Sequence, residues 1–192
     1  MSDASRVSHY VDDAFYAGIV AAFTDWQRDE RLVDDPALRE ACHALLLREA
    51  RLLDNLDFDA WLALFVPECA YWAPGSPQRG DPRKEIALWF DDRRQLEGRV
   101  YRLKTGTAWS QVPPSRTVRM VGNIEAFRGR DAGSVMVRST FVVNEFRTGT
   151  ARAIVGWCGH LLRPVGGALR IQAKQVNLLE ADQNLRNPSL LL

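Results

Sequence analysis

Histidine and cysteine are scarce in this chain, three of each in 192 residues. Metal sites and covalent catalysis draw heavily on both types, so the shortage narrows the field. Cys158-Gly159-His160 makes a single C-x-H pair, half of what a Rieske cluster needs, because that cluster takes two Cys and two His. No Cys or His follows His160. The pair reads instead as two residues on one face of a strand. His9 and His43 recur at no ligand spacing, and no set of two His and one carboxylate is evident. Cys42, Cys69 and Cys158 are too few and too scattered for a disulfide framework, which predicts reduced thiols and a cytoplasmic protein.

Other signals are missing as well. There is no G-x-S-x-G, no G-x-G-x-x-G and no P-loop, which leaves nucleophile-elbow hydrolases and nucleotide-binding folds without support. No apolar run approaches the roughly 20 residues of a membrane span. The first residues, MSDASRVSHYVDDAF, carry acids where a signal peptide needs a basic start and an apolar core. A net charge of +1 gives no electrostatic reason to expect nucleic acid or anionic lipid as a partner.

What the chain does have is an apolar share of 46%, enough for one domain with a substantial core. Residues 1–35 read as an N-terminal arm or helix, with Val11, Phe15, Ile19 and Phe23 stepping by four. That narrow stripe fits packing on another chain or on the chain's own domain. Residues 36–192 read as a single domain. Asp35 can cap a helix with Pro36 in its first turn, and Leu38, Cys42, Leu45, Leu46 and Leu53 share one face of it. Glu49 lies on that same stripe, where a carboxylate needs a partner or a raised pKa, so an ion pair with an arginine is expected, with a catalytic acid as the alternative. Asp57 can cap a short second helix. Cys69–Trp72 reads as a strand and Asp91–Lys104 as a further helix. In the second half the period changes to two, predicting a strand through Thr117–Phe127 and others at 135–146, 151–163 and 169–180. The short Gly-bearing connections make them antiparallel neighbours. The last strand changes face, which predicts a bulge near Lys174-Gln175. A curved, mostly antiparallel sheet wrapped around N-terminal helices is a cone-like α+β fold.

Functional candidates are of two kinds. Asp54, Asp57, Tyr71, Tyr101 and His160 could furnish an acid–base pocket inside such a cone, although each has an ordinary reading as a cap, loop or core residue. The charges around the middle helix are more telling. Glu49, Asp91, Asp92, Arg99 and Arg102 are expected in a buried ion-pair network, since arginine keeps its charge when desolvated. With Arg116, these arginines could brace the Thr105–Ser115 loop.

Three stretches resemble a known family: REARLLDNLDFDAWLALFVPECAYWAP (Arg48–Pro74), EIALWFDDRRQLEGRVYRLKTGTAWSQVPPSRTVRMVGNI (Glu85–Ile124), and the last strands with the closing NLRNPSLLL. Together they are similar to the small (β) subunits of aromatic-ring-hydroxylating dioxygenases. The resemblance implies the cone-like fold of ketosteroid isomerase and scytalone dehydratase. It implies an assembly with a large α subunit, often three of each, on a platform of three β subunits. The α partner would hold the Rieske [2Fe-2S] cluster and a mononuclear Fe(II). NAD(P)H would supply electrons through a reductase, and the product would be a cis-dihydrodiol. The family offers no catalytic, metal or cofactor positions in β, so none is assigned here. Trp72, Trp109, Arg116, Trp157 and Leu192 are the candidate interface residues, because Trp and Arg favour interface centres and the closing leucines need cover. The competing readings are a free-standing hydratase or isomerase of the same fold, and a small-molecule binding module.

Overall fold

The computed structural model describes residues 11–76, 81–183, 187 and 189–192. Four α-helices are each started by an aspartate. Helix α1 (Asp13–Ala22) is capped by Asp12, which accepts from the Phe15 N–H at 2.8 Å. Helix α2 (Pro36–Asp54) is capped by Asp35 with Pro36 at its first position, and α3 (Phe58–Leu62) by Asp57. Helix α4 (Arg93–Thr105) starts with a reciprocal Asp92–Gln95 capping box and stops at Gly106, whose φ of 72° suits glycine.

Six strands follow the order β2-β1-β6-β5-β4-β3 in one sheet. They are β1 (Phe65–Pro74), β2 (Ala87–Asp92), β3 (Arg116–Arg128), β4 (Val135–Arg147), β5 (Thr150–Val165) and β6 (Ala168–Leu178). The last four are antiparallel neighbours joined by short turns, as their spacing predicts. Strand β1 enters the sheet parallel to β6 and antiparallel to β2. Strand β2 corrects the sequence reading, which begins a helix at Asp91. Trp89 and Asp91 face the core from a strand, and Asp92 is the cap that ends it. The bulge also moves: β6 gains its extra residue at Gln172, between Ile171 opposite Leu162 and Ala173 opposite Leu161.

Each face of the sheet carries an apolar cluster, although the outer face is covered only in part. Alternate residues of β1 divide between two apolar clusters, with Tyr71 in one and Trp72 in the other. Helices α2 and α3 fill the inner face with Leu45, Leu46, Leu53, Trp61 and Leu62. The described part of the expected arm, α1 with Trp26 beyond it, packs on the outer face of its own sheet through Phe15, Ile19 and Ala22. A Cβ at Gly159 would meet the Phe23 ring at 2.8 Å, so glycine there lets this segment close on the sheet. The first ten residues of the arm lie outside the described residues. Strand β3 is an edge, and the chain protects it. Asp54 accepts from the Arg119 N–H at 2.9 Å, and the Val33 N–H reaches the Ala126 carbonyl at 2.9 Å.

Candidate functional site

Inside the cone, α2 brings Glu49 against β5 and β6, where His160 and Lys174 are paired opposite each other. Glu49 Oε1 accepts from Lys174 Nζ at 2.9 Å and from Trp61 Nε1 at 3.1 Å, and Oε2 lies 3.1 Å from His160 Nε2. The partner of Glu49 is therefore a lysine, not the expected arginine. The bulge at Gln172 is the reason. Unbroken alternation from Ile171 would turn Lys174 away from the interior, and one extra residue turns it in. Burial pushes the Glu49 carboxyl up, but Lys174 and His160 outweigh it, and the group is held below its usual range. Burial pushes the His160 imidazole down from 6.5, against the raising effect of Glu49. The cluster is thus an ionised Glu49–Lys174 pair with a neutral His160 donating from Nε2. His160 Nδ1 is left with no hydrogen-bond partner among the described residues.

The space beside this cluster is about 30 Å³, lined by Glu49, His160, Lys174, Cys158, Ser139 and Leu192. That is room for a water, not for the roughly 300–1,000 Å³ of a small-molecule site. The closing residues of the chain seal it. Tyr71 Oη accepts from the Leu192 N–H at 2.9 Å and donates to the Leu192 carbonyl at 3.2 Å, while Arg119 donates to the Leu191 carbonyl. Leu192 is only 7% exposed. It is covered by its own chain and not, as expected, left for a neighbour. Trp72 likewise sits in the chain's own core at 3% exposure, against Phe23 and Phe90.

The five acid–base candidates do not converge. Asp54 is bonded to Thr117 and Arg119, Asp57 caps α3, Tyr71 holds the tail, and Tyr101 is exposed. Only His160 reaches the inner cluster. Cys158 does share its strand face, but burial pushes its thiol up to about 12, which disfavours a ligating thiolate. Among the described residues no group of three or more His, Cys, Asp or Glu could hold a metal.

Of the expected ion-pair network Glu49 stands apart, while Arg99, Arg102 and Asp92 all act on the Asp91 carboxyl. Arg99 pairs with Asp91 at 2.6 Å and lies over the Trp89 ring. Asp92 serves the α4 cap, Arg102 is exposed, and Glu49 belongs to the inner cluster. The Arg102 carbonyl accepts from the Ala108 N–H at 3.1 Å. Arg147 braces the 105–115 loop further on: its Nε donates to the Pro113 carbonyl at 3.0 Å and its Nη2 to the Val112 carbonyl at 3.1 Å. Gln111 holds the same loop by accepting from the Ser115 N–H at 3.0 Å. At its tip Trp109 is 86% exposed, with Val112 exposed beside it. Arg147 escapes sequence reasoning because a strand-end arginine before Thr148-Gly149 looks like any turn residue.

The neighbouring outer face of β3, β4 and β5 is bare and apolar. Val118, Met120, Phe146 and Val155 are exposed there. Arg116 lies over the Phe146 ring at 4.7 Å, and Arg138 over the half-buried Trp157 at 5.3 Å. Exposed aromatic and apolar side chains thus gather on the loop tip and the outer sheet face.

Comparison with known proteins places the chain in a family. Residues 48–183 match the family described as "Ring hydroxylating beta subunit". The small oxygenase component of the p-cumate 2,3-dioxygenase system of Pseudomonas putida is 36% identical over 146 residues, 74% of this chain and 81% of that protein. The beta subunit of toluate 1,2-dioxygenase, also from Pseudomonas putida, is 32% identical over 144 residues, 72% of this chain and 88% of that one. The crystal structure of the beta subunit of benzoate 1,2-dioxygenase from Burkholderia mallei superimposes with a TM-score of 0.65 at 28% identity, covering 83% of this chain and 99% of that chain. A chain of naphthalene 1,2-dioxygenase, at 21% identity, shares the fold with a TM-score of 0.71 over 100% of both chains. No described helix is long and apolar enough to cross a membrane. With the family match over residues 48–183 and relatives more than 30% identical over about three quarters of its length, the chain belongs to the ring-hydroxylating beta subunit family of aromatic-ring dioxygenases.

Proposed function

We propose that this chain is a non-catalytic scaffold, on which a large α subunit carries out the NAD(P)H- and O₂-dependent cis-dihydroxylation of an aromatic ring. The Rieske cluster and the mononuclear iron belong to that partner in this reading, and a reductase supplies its electrons. The assembly has three copies of each chain. The observation that carries the reading is the sealed interior. The cavity inside the cone is filled by Glu49, His160, Lys174 and the closing leucines. The same point weighs against a free-standing hydratase or isomerase.

Trp109 and Arg116 are the contacts proposed for the large subunit, with Trp157 at the margin of the bare sheet face. A tryptophan held out on a loop tied down by Arg147 needs little further ordering on association, which favours binding. The test is co-expression with a large subunit carrying both halves of the Rieske motif, followed by sizing, iron content and turnover. The expected result is a mixed complex whose iron and activity depend on the large chain. Turnover of an aromatic substrate, or a hydratase or isomerase reaction, by the isolated small chain would refute the reading.

A further inference from the structure

The closing residues do more than seal the interior. Asn187 and Ser189–Leu192 connect it to the 105–115 loop. At one end Leu192 is held by the Tyr71 hydroxyl, through its N–H at 2.9 Å and its carbonyl at 3.2 Å. At the other, Ser110 Oγ donates to Ser189 Oγ at 2.7 Å. Asn187 Nδ2 donates to Ser115 Oγ at 3.4 Å and to Glu145 Oε1 at 2.8 Å. Ser115 donates to the same Glu145 oxygen, and Arg152 pairs with the other. Arg119 binds the Leu191 carbonyl midway.

These five residues form a strap. Leu190, Leu191 and Leu192 are at most 9% exposed, and burial of their side chains is the force that seats it. Ser110 sits beside the exposed Trp109, in the single 3-10 turn Trp109–Gln111. The tip therefore has two anchors. Arg147 holds the Val112 and Pro113 carbonyls, and the strap holds Ser110 and Ser115.

We propose that the strap is a positioning element for the docking loop. Seating of the leucines holds Trp109 ready for the large subunit, and docking in turn holds the leucines seated. The effect runs both ways because one equilibrium, strap in or strap out, is biased from either end. The inference rests on the Trp109 loop as the contact for the large subunit. Tyr71 is fully buried and cannot itself touch a partner. An effect of its hydroxyl on association is transmitted, and its bonds to Leu192 are the route.

The test is amide exchange of the full chain, alone and in complex with the large subunit. Gln111 and Ser115 report the loop, since their N–H groups bond to the Ala108 carbonyl and to Gln111 Oε1. Val143, paired with Ile154 in mid-sheet, reports global unfolding. In Tyr71→Phe and in Leu192→Ala the loop amides are expected to exchange about fivefold faster, with association weakened by a similar factor. Lys174→Met is the control. The Glu49 cluster makes no hydrogen bond to the strap among the described residues, so this variant should quicken Val143 and leave the loop rates unchanged. Binding of the large subunit is expected to slow exchange at the Leu192 N–H. Loop rates unchanged in both Tyr71→Phe and Leu192→Ala, or raised equally by Lys174→Met, would overturn the proposal, as would a Leu192 N–H indifferent to docking. A parent chain that binds no large subunit would refute the scaffold reading instead, and exchange in the isolated chain would still decide whether strap and loop are coupled.

Discussion

The interior cluster and the 105–115 loop use similar side chains to opposite ends. Inside, Trp61 donates to Glu49, and a lysine and a histidine complete the set with almost no water contact. On the rim, Trp109 has no such partner among the described residues, and the cation nearby, Arg147, binds loop carbonyls. In the first region charge is neutralised and locked, which specifies one packing of α2 on β5 and β6. In the second, charge fixes backbone so that an aromatic ring stays exposed. Stability and association are therefore separable by mutation, and the two regions should fail in different assays.

The largest effect is expected from Lys174→Met. It leaves Glu49 buried without its cation, a loss of about 3–5 kcal/mol, seen as a drop of roughly 10 °C in the thermal midpoint. A chain that melts unchanged would mean the pair is dispensable and the contrast false. Trp109→Ala comes next and should reverse the pattern. The isolated chain should melt within about 0.5 kcal/mol of the parent, while association with the large subunit weakens by about 2 kcal/mol. Equal losses in both assays would make Trp109 a folding residue after all.

Acid sharpens the comparison further. Glu49 and His160 both have folded-state values below their ordinary ones. In each case the unfolded chain takes up its proton first, so stability falls as pH is lowered. The decline should start near 6.5 with His160, continue near 4.5 with Glu49, and end once pH lies below the folded values. Each group contributes at most about 1.4 kcal/mol per pH unit. Denaturant melts across this range check it, and in His160→Gln the upper part of the slope should vanish. Arg147→Ala should have the smallest effect, about 1 kcal/mol on association. Amide exchange at residues 108–112 should quicken, with no change at Glu49.

Much of this was legible from local pattern. The aspartate caps at Asp35 and Asp57, the antiparallel strands from Arg116 onward and the inward face of Glu49 all follow from spacing and propensity. The partner of Glu49 was not legible, because it depends on which residue of β6 bulges, and alternation alone could not distinguish Gln172 from Lys174. Strand β2 was missed because its acids Asp91 and Asp92 run straight into a helical stretch. Trp72 and Trp109 looked alike as candidate anchors. Only the pairing of β1 in mid-sheet separates the buried ring from the exposed one.

That mid-sheet position also bears on how the molecule is made. Strand β1 lies beside β6, and Tyr71 bonds a residue 121 positions further along. The helices can form while the ribosome is still at work, but the sheet's middle stays vacant until almost the whole chain has emerged. Such distant pairing slows folding. Until it is complete, a nascent chain exposes apolar surface that chaperones are suited to shield.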